Sequence, residues 1–344
     1  LVEGHSRKAV EVFCYSDVAA PDATTFILRT LADNWRDVHE MDDRSLADMI
    51  RADRIDILVD LAGHSAGNRL SMFALKPAPV QASWLGYPAT TGLSAIDYRI
   101  TDAIADPEGE ADLVHAEKLL RLPDGFLCYA PPEHAPAVSP PPCETAGHIT
   151  FGTFNNPAKI SPEAIGMWAS ILSALPTSRL LLKNKIFRED KTRAMFLALF
   201  EDAGIPSHRV TCLAHTASSG AHLETYRSLD ISLDTYPYNG TTTTCESLWM
   251  GVPVITLMGD RHASRVSASI LTRLRLDDLI AGSEEEYVEI ALRLAADAGR
   301  LLSLRKGLRK TMKSSPLCDR RRFSLQMEEA YRCMANECFA ARTD

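Results

Sequence analysis

A run of four threonines at the start of a predicted helix is the part of the sequence best suited to bind an anion. The run, Thr241–Thr244, follows Gly240 and opens a helix predicted over Thr243–Met250. Backbone N–H groups at a helix N-terminus are unpaired and the helix dipole is positive there, so such a terminus attracts phosphate. Glu246, one turn into the helix, can accept hydrogen bonds from a ribose diol. The pattern favours a nucleotide site over an N-cap with spare threonines and an exposed glutamate.

Two further segments place polar side chains directly after predicted strands. Asn156 and Lys159 follow the strand predicted over Ile149–Phe154, where a lysine can neutralise a diphosphate. The alternative is a surface lysine ahead of a helix. His222 opens a helix after the strand Val210–Leu213, but taken alone it is a weak signal, because a lone histidine near a helix start usually has a structural role. Because ligands of parallel α/β sheets bind outside the carboxyl ends of the strands, these positions are the candidates for a site.

The pentapeptide Gly63–Gly67 has the Gly-x-Ser-x-Gly pattern of a serine-hydrolase nucleophile elbow, with Ser65 at its centre. Two features count against a hydrolase: the next helix opens with Asn68 and Arg69 rather than small residues, and no His-Gly-Gly oxyanion motif precedes the pentapeptide. We therefore favour a Gly-rich strand–helix turn and retain the hydrolase as an alternative.

A second loop of the first half follows the strand predicted over Val80–Trp84. There Gly86, Tyr87 and Pro88 lead into a Thr-rich segment, which we expect on the acceptor side of a cleft between two domains. A rigid turn without a function is the alternative.

These segments must be positioned by strands and helices that alternate along the chain, a pattern typical of parallel α/β architecture. Strands are predicted at Val10–Tyr15, Ile55–Leu61, Val80–Trp84, Tyr98–Thr101, Leu119–Leu122, Ile149–Phe154, Leu180–Lys183, Val210–Leu213, Ile231–Leu233 and Val254–Leu257. Helices are predicted at Thr24–Ala32, Ser45–Arg51, Asn68–Leu75, Pro162–Leu175, Glu189–Ala203, Ala221–Ser228, Thr243–Met250, Glu284–Ala298, Leu301–Met312 and Phe323–Met334.

The chain divides into two such α/β regions at a proline-rich stretch. We predict an N-terminal domain over residues 1–128, incomplete at its start, and a linker over 129–147. A second α/β domain over 148–316, which contains the candidate nucleotide site, and a C-terminal helix over 317–344 follow. A chain of 344 residues is long enough for two cores of ordinary size.

Composition excludes several classes of protein. Hydrophobic residues make up 46% and charged residues 24% of the chain, which fits a globular protein, and the net charge of −8 disfavours a nucleic-acid binder. The eight cysteines form no Cys-x-x-Cys pair, and no apolar run is long enough to span a membrane. We expect a cytoplasmic protein with no membrane or nucleic-acid partner. Dinucleotide, P-loop and His-Glu-x-x-His motifs are missing, as is an Asp-x-Asp for a metal, so no metal site and no cofactor are predicted.

Taken together and in this order, the motifs resemble the catalytic region of the nucleocytoplasmic O-GlcNAc transferase family, including its SPINDLY branch and bacterial homologues. The resemblance runs over nearly the whole chain. It is carried by Ile57–Gly63, Pro77–Gln81, Gly86–Pro88, Asp97–Asp102, Thr153–Ile160 and Asp230–Val254.

The resemblance implies a GT-B glycosyltransferase fold, with two Rossmann-like parallel-sheet domains, a cleft between them and a helical C-terminal tail. It also implies roles for particular positions. Lys159 would contact the diphosphate and support departure of the leaving group, with Asn156 in the same loop. The remaining nucleotide contacts would be His222 beside the nucleotide, Thr241, Thr242 and Thr243 at the helix start, and Glu246 at the ribose.

The implied reaction is inverting, metal-independent transfer of GlcNAc from UDP-GlcNAc to Ser or Thr hydroxyls of proteins. Thr241 stands where the animal enzymes have a histidine, and Ser219 where they have a nucleotide-contacting lysine. Both departures resemble the SPINDLY branch, so GDP-fucose-dependent O-fucosyl transfer is an alternative, as is a non-catalytic nucleotide-sugar-binding module. The family's tetratricopeptide repeats, and the histidine expected as catalytic base, would lie upstream of residue 1.

Overall fold

Parallel β-sheets flanked by helices form both halves of this protein, as seen in a computed structural model that describes residues 1–214, 216 and 218–340. The chain divides into two structural units. The first contains residues 1–128 together with the C-terminal stretch from Asp319, and the second contains residues 129–318. The predicted parallel α/β class is confirmed.

The first unit contains a four-stranded parallel sheet and a two-stranded parallel one. Its elements before the C-terminal stretch are Phe13–Ser16 (β1), Ala23–Leu31 (α1), Asn34–Asp37 (β2), Asp43–Ala52 (α2), Ile57–Asp60 (β3), Leu70–Ala74 (α3), Val80–Ser83 (β4), Tyr98–Thr101 (β5), Glu110–Leu113 (α4) and Lys118–Arg121 (β6). The four-stranded sheet has the order β3-β4-β5-β6, and β1 pairs with β2.

Helix α2 shows how local sequence builds this unit. The Asp42 side chain caps the helix by accepting from the backbone N–H groups of Arg44 and Ser45. Leu46, Ala47 and Ile50 then form the buried face of the helix, and they pack in one core cluster with residues of β3 and α3. Strand β2 was missed because its sequence, Asn-Trp-Arg-Asp, contains poor strand formers and lacks an apolar run.

The second unit is a six-stranded parallel sheet with helices between the strands. Its elements are Cys143–Ala146 (α5), Thr150–Thr153 (β7), Pro162–Ala174 (α6), Arg179–Lys183 (β8), Asp190–Asp202 (α7), Val210–Leu213 (β9), Ser219–Glu224 (α8), Ile231–Leu233 (β10), Thr242–Trp249 (α9), Val254–Leu257 (β11), Val266–Arg273 (α10), Ile280–Ala281 (β12), Glu284–Ala296 (α11) and Ala298–Lys313 (α12). A final helix, Arg320–Ala340 (α13), belongs to the first unit.

Strand order in the second unit is β12-β11-β10-β7-β8-β9. The first strand of the unit, β7, therefore lies in the middle, with β8 and β9 on one side and β10, β11 and β12 on the other. This is a doubly wound order: β8 and β9 are added on one side of β7, and the chain then crosses over to add β10, β11 and β12 on the other side. Loops leaving these two strands diverge, and ligands of such sheets bind at that point.

Two parts of the chain differ from the expected domain scheme. Residues 129–147 lie within the second unit: Arg309 donates to the carbonyl of Pro136 over 2.7 Å, and the Cys143 N–H donates to Asp230 over 3.0 Å. Proline carbonyls remain good acceptors, so a Pro-rich segment can pack without forming a strand or helix. Helix α13 packs on the first unit, where Arg322 pairs with Asp124.

Helix α10 was not predicted, because its sequence contains serine, threonine and β-branched residues of modest helix propensity. Burial explains the helix instead, since Val266 through Leu271 are all buried in the second unit.

Candidate functional site

The two loops that diverge at the switch point of the six-stranded sheet hold three of the predicted site residues, Asn156, Lys159 and Thr241, and the second loop leads into the helix with Thr242, Thr243 and Glu246. Residues 154–160 follow β7, and residues 234–241 follow β10 and lead into α9. Parallel strands end at the same edge, so both loops lie at the carboxyl edge of this sheet.

Lys159 lies in the first of these loops, and its side chain reaches the second. Its Nζ donates to the carbonyl of Asn239 over 2.9 Å and lies 3.6 Å from the ring centroid of Tyr238, a cation–π distance. Burial lowers the pKa of Lys159, and the negative charge of Asp234 opposes this shift. The ammonium group is therefore held next to the residues that begin α9.

Asp234, the first residue after β10, ties the two loops together. Its buried carboxylate accepts from the Gly240 N–H over 2.8 Å, from the Asn155 amide over 3.1 Å and from the Thr256 hydroxyl over 2.9 Å. Burial raises the pKa of Asp234, and these donated hydrogen bonds together with the Lys159 charge act in the opposite direction. The Asp234 side chain therefore holds the turn that precedes α9 in place through its bond to Gly240.

The four threonines of the predicted run have different environments. The Thr243 hydroxyl donates to Asn155 over 2.5 Å, and the Thr244 hydroxyl is 2.9 Å from the Ser267 hydroxyl in the interior. Thr241 is the N-cap residue, yet within the part of the chain that the structure describes its hydroxyl makes no capping bond to the helix, and Thr242 is exposed. Thr243 and Thr244 therefore stabilise the loops, while Thr241 and Thr242 are the hydroxyls open to a ligand.

Glu246 and His222 are in direct contact. His222 Nε2 lies 3.0 Å from Glu246 Oε2, and the hydroxyl of Tyr226 lies 3.4 Å from the same oxygen. On its other side, His222 Nδ1 is 2.7 Å from Nζ of Lys183, the last residue of β8. The Phe154 ring packs against Tyr226 with ring centroids 4.5 Å apart. These contacts connect the carboxyl ends of β7 and β8 with the first turns of α9.

Asn156 has a local role in the structure. Its side chain accepts from the Ala158 N–H over 3.2 Å and so caps the short 3-10 turn that carries Lys159. The neighbouring Asn155, buried and bonded to both Asp234 and Thr243, makes the contacts between the loops. A nucleotide contact by Asn156 stays a prediction.

Several residues of this cluster were not singled out from the sequence: Asn155, Lys183, Tyr226 and Asp234. Lys183 ends a predicted strand, and Asn155 and Asp234 each follow one. Tyr226 lies in a predicted helix. Position after a strand is a signal that could have found Asn155 and Asp234, whereas the contacts of Lys183 and Tyr226 depend on how β8 and α8 lie beside α9.

The loop after β4 in the first unit is rigid and is held by two buried charged residues. Arg99 donates to the carbonyls of Tyr87 and Ala89, over 3.0 and 2.8 Å. A Cβ atom on Gly86 would lie 1.9 Å from the carbonyl oxygen of Leu61, so only glycine fits there. Gly86, Tyr87 and Pro88 are all accessible at least in part, so this loop presents a fixed surface.

Glu117 supports the next turn of the same loop. Its carboxylate accepts from the Thr90 hydroxyl over 2.6 Å, from the Thr91 N–H over 2.6 Å and from the Thr91 hydroxyl. Burial raises the pKa of Glu117, but these hydrogen bonds outweigh burial and hold the pKa below its ordinary value.

Ser65 has no arrangement suited to a nucleophile. Its hydroxyl is exposed and its one contact in the described ranges is the carbonyl of Gly86, at 3.5 Å. The adjacent His64 points its Nε2 to the carbonyl of Thr91 over 2.9 Å rather than to Ser65. A serine nucleophile needs a base within hydrogen-bond reach, so the geometry favours the Gly-rich turn.

The described residues contain neither a cluster of metal ligands nor a membrane-spanning helix. Across residues 1–214, 216 and 218–340, no group of three or more His, Cys, Asp and Glu side chains could hold a metal ion. No described helix is long and apolar enough to cross a membrane.

The six-stranded order with its switch point defines a doubly wound α/β domain, and Lys159 lies at that switch point, directly ahead of the N-terminus of α9. The protein belongs to the GT-B class of α/β folds: the O-GlcNAc transferase of Thermobaculum terrenum, solved as a lysine-to-methionine mutant, matches it with a TM-score of 0.94 and 40% identity. That match covers 99% of this chain and 64% of the other.

The chain belongs to glycosyl transferase family 41, whose sequence profile matches residues 1–131 and 144–327. The SPINDLY protein of Petunia hybrida, named as a probable UDP-N-acetylglucosamine–peptide N-acetylglucosaminyltransferase, is 47% identical over 96% of this chain. The Arabidopsis thaliana protein SEC, named for the same activity, is 34% identical over 96% of the chain. The chain spans 36% and 34% of these two relatives, about a third of their length. The predicted family resemblance is confirmed.

Proposed function

We propose that this chain carries the catalytic region of a protein O-glycosyltransferase that transfers GlcNAc from UDP-GlcNAc to Ser or Thr hydroxyls, with inversion and without a metal. One observation carries the proposal: the Lys159 ammonium lies against Asn239, directly before the N-terminus of α9, at the switch point of the sheet. A lysine and a helix N-terminus together supply the positive potential that a diphosphate requires.

In the proposed reaction the acceptor hydroxyl oxygen attacks C1 of the sugar. The bond between C1 and the β-phosphate oxygen breaks, UDP leaves with that electron pair, and a base takes the hydroxyl proton. Lys159 and the N–H groups of α9 stabilise the charge that develops on the leaving diphosphate. They act as preorganised electrostatics, which is most effective where water is excluded.

The ribose is assigned to Glu246. Oε2 of this carboxylate already contacts Nε2 of His222, whereas Oε1 has no hydrogen-bond partner in the described part of the chain. A carboxylate oriented in this way can accept from the ribose diol, with charge-assisted hydrogen bonds. Thr241 and Thr242 at the helix start would supply hydroxyl contacts to the phosphates.

The choice of donor and acceptor is supported by the names of the relatives, which describe transfer of N-acetylglucosamine from its UDP form to peptides. Thermal shift of the full-length protein with UDP, GDP and their sugars tests the donor. A ligand at 100-fold its Kd that binds only the folded protein adds about 2.7 kcal/mol to stability. Stabilisation by GDP-fucose and not by UDP-GlcNAc would instead identify an O-fucosyltransferase.

Lys159→Met tests the catalytic role. The variant loses the charge at the site, and we expect turnover to fall by about 10²–10³, the usual effect of removing one preorganised donor. Lys191→Met, an exposed lysine of α7, is the matched control and should keep full turnover. EDTA should leave transfer by the wild type intact. Equal turnover in both variants would refute the role of Lys159, and binding of donor without any turnover by the wild type would favour a non-catalytic module.

Ser65→Ala separates transfer from hydrolysis. Because Ser65 has no base beside it, we expect the variant to keep glycosyl transfer within a few-fold and the wild type to resist a fluorophosphonate probe at this residue. Stoichiometric labelling of Ser65 would establish the hydrolase alternative.

A further inference from the structure

Lys183 is a buried lysine whose partners are not carboxylates. The residue is 3% exposed at the end of β8, where its Nζ lies 2.7 Å from His222 Nδ1 and 3.3 Å from the Thr216 hydroxyl. It also lies 5.1 Å from the ring centroid of Phe154. Burial lowers the pKa of Lys183, and the negative charge of Glu246 opposes this shift. A buried ammonium is costly, so its contact with a histidine of the candidate site calls for an explanation.

The position of the protons in this group follows from the chemistry of its members. A Lys ammonium has donors and no acceptor, so His222 Nδ1 must be the unprotonated ring nitrogen that accepts from Lys183. The ring proton is then on Nε2, from which it is donated to Glu246 Oε2 over 3.0 Å. Moving the proton from Lys183 to His222 is unfavourable, because an amine is intrinsically about 4 pKa units more basic than an imidazole.

Other charged or titratable groups around this histidine come from separate elements. Lys183 faces it from β8, Glu246 from α9, and the Tyr226 hydroxyl from the turn after α8, 3.4 Å from the same Glu246 oxygen. Tyr129 also faces Glu246, whose negative charge adds to the effect of burial in raising the Tyr129 pKa. Lys183 is the one member of this set that donates to Nδ1, and the Glu246 carboxylate, which can only accept, faces Nε2, so the two residues favour the same ring tautomer from opposite sides.

We propose that Lys183 is a positioning residue that holds His222 as a neutral Nε2–H donor and thereby orients the Glu246 carboxylate for the ribose of the donor nucleotide. This inference rests on the proposed nucleotide function of the same site. A direct consequence is that both ring nitrogens of His222 are engaged, Nδ1 by Lys183 and Nε2 by Glu246, so the ring and the Glu246 oxygen that it contacts are fixed before a nucleotide binds. Lys183 acts through His222 and Glu246 and is not assigned a contact with the nucleotide.

Lys183→Met tests the positioning role with two ligands. The variant loses the donor at Nδ1, so the ring is held on one side only, by Glu246, and we expect UDP to bind about 10-fold more weakly, equivalent to the loss of about one hydrogen bond. Pyrophosphate, which has no ribose, should bind wild type and variant equally.

Calorimetry of wild type, Lys183→Met and the exposed control Lys191→Met with UDP and pyrophosphate tests these expectations. ¹⁵N NMR of the His222 ring in the ligand-free wild type at pH 8 tests the proton assignment without a variant, and should show the proton on Nε2 and none on Nδ1.

Three results would overturn the proposal: equal UDP affinity in wild type and variant, a loss of affinity that extends equally to pyrophosphate, or an Nδ1–H tautomer in the NMR spectrum. Failure of the wild type to bind any nucleotide would refute the proposed function instead, while the NMR experiment would still decide the role of Lys183.

Discussion

Gly240→Ala is expected to damage the candidate site more than its size suggests. Gly240 precedes the N-cap of α9, and its N–H donates to Asp234 over 2.8 Å. A Cβ atom there would lie 2.6 Å from the Thr243 hydroxyl oxygen, 2.7 Å from that of Thr244 and 3.0 Å from Asn155 Oδ1. All three distances are shorter than ordinary contacts, so the threonine hydroxyls must move.

The cost follows from what those hydroxyls do. Thr243 donates to Asn155, and Thr244 bonds to Ser267 in the interior. Rotating both threonines breaks two hydrogen bonds and leaves buried polar groups unpaired, at about 1–3 kcal/mol for each. We therefore expect a loss of about 2–6 kcal/mol, which corresponds to a fall in Tm of roughly 4–24 °C for a unit of this size.

Thermal denaturation and pyrophosphate calorimetry measure the two consequences. Because the displaced side chains lie at the start of α9, we expect pyrophosphate affinity to fall by about 10-fold, consistent with a lost phosphate contact. Gly166→Ala in α6 is the matched control, since nothing lies within 4 Å of its added Cβ, and alanine there should stabilise the helix by about 0.5–1 kcal/mol. If Gly240→Ala behaved like this control in both assays, the packing of the helix start described above would be wrong.

Two further predictions concern the ribose contact and the loop of the first unit. Glu246→Ala should weaken binding of a nucleoside diphosphate by about 1.5–3 kcal/mol and pyrophosphate little, as calorimetry will measure; equal losses for both ligands would mean that the ribose lies elsewhere. Glu117→Gln should destabilise the protein by about 1.5–3 kcal/mol at pH 7, because the Glu117 pKa is held below its ordinary value and its carboxylate stabilises the fold above that range. This stability is fully present above the ordinary glutamate pKa of about 4.3 and is lost as pH falls from there through the folded-state pKa, so the Tm difference between wild type and variant should stay constant from pH 7 to about pH 5 and shrink below about pH 4. A difference that is still constant at about pH 3 would argue against the shift.

Strands that are apolar and bounded by turn residues were predictable because short-range patterning alone specifies them. The bounds of β5, β9, β10 and β11 agree with the prediction at both ends. Most predicted helices are also present, with ends that differ by a few residues. Helix α10 and strand β12 could not be found in this way, because burial in the second unit rather than their own propensity makes them regular.

The sequence alone determined the chemistry available at the candidate site. A glycine and four threonines at the start of a helix favour an anion site over a plain N-cap, and a lysine that follows a strand is a candidate partner for such an anion. These inferences need only the chain order, because backbone direction in a parallel sheet brings every strand's carboxyl end to one edge.

Tertiary structure decided which of those residues work together. Strand order places β7 next to β10, and so brings Lys159 to Asn239, two residues that are 80 positions apart in sequence. It also decided that the Thr243 hydroxyl bonds to Asn155, and that a buried lysine at the end of β8 contacts His222. Such pairings depend on which strands are neighbours and on which side chains burial forces to find partners, and neither is written in local sequence patterns.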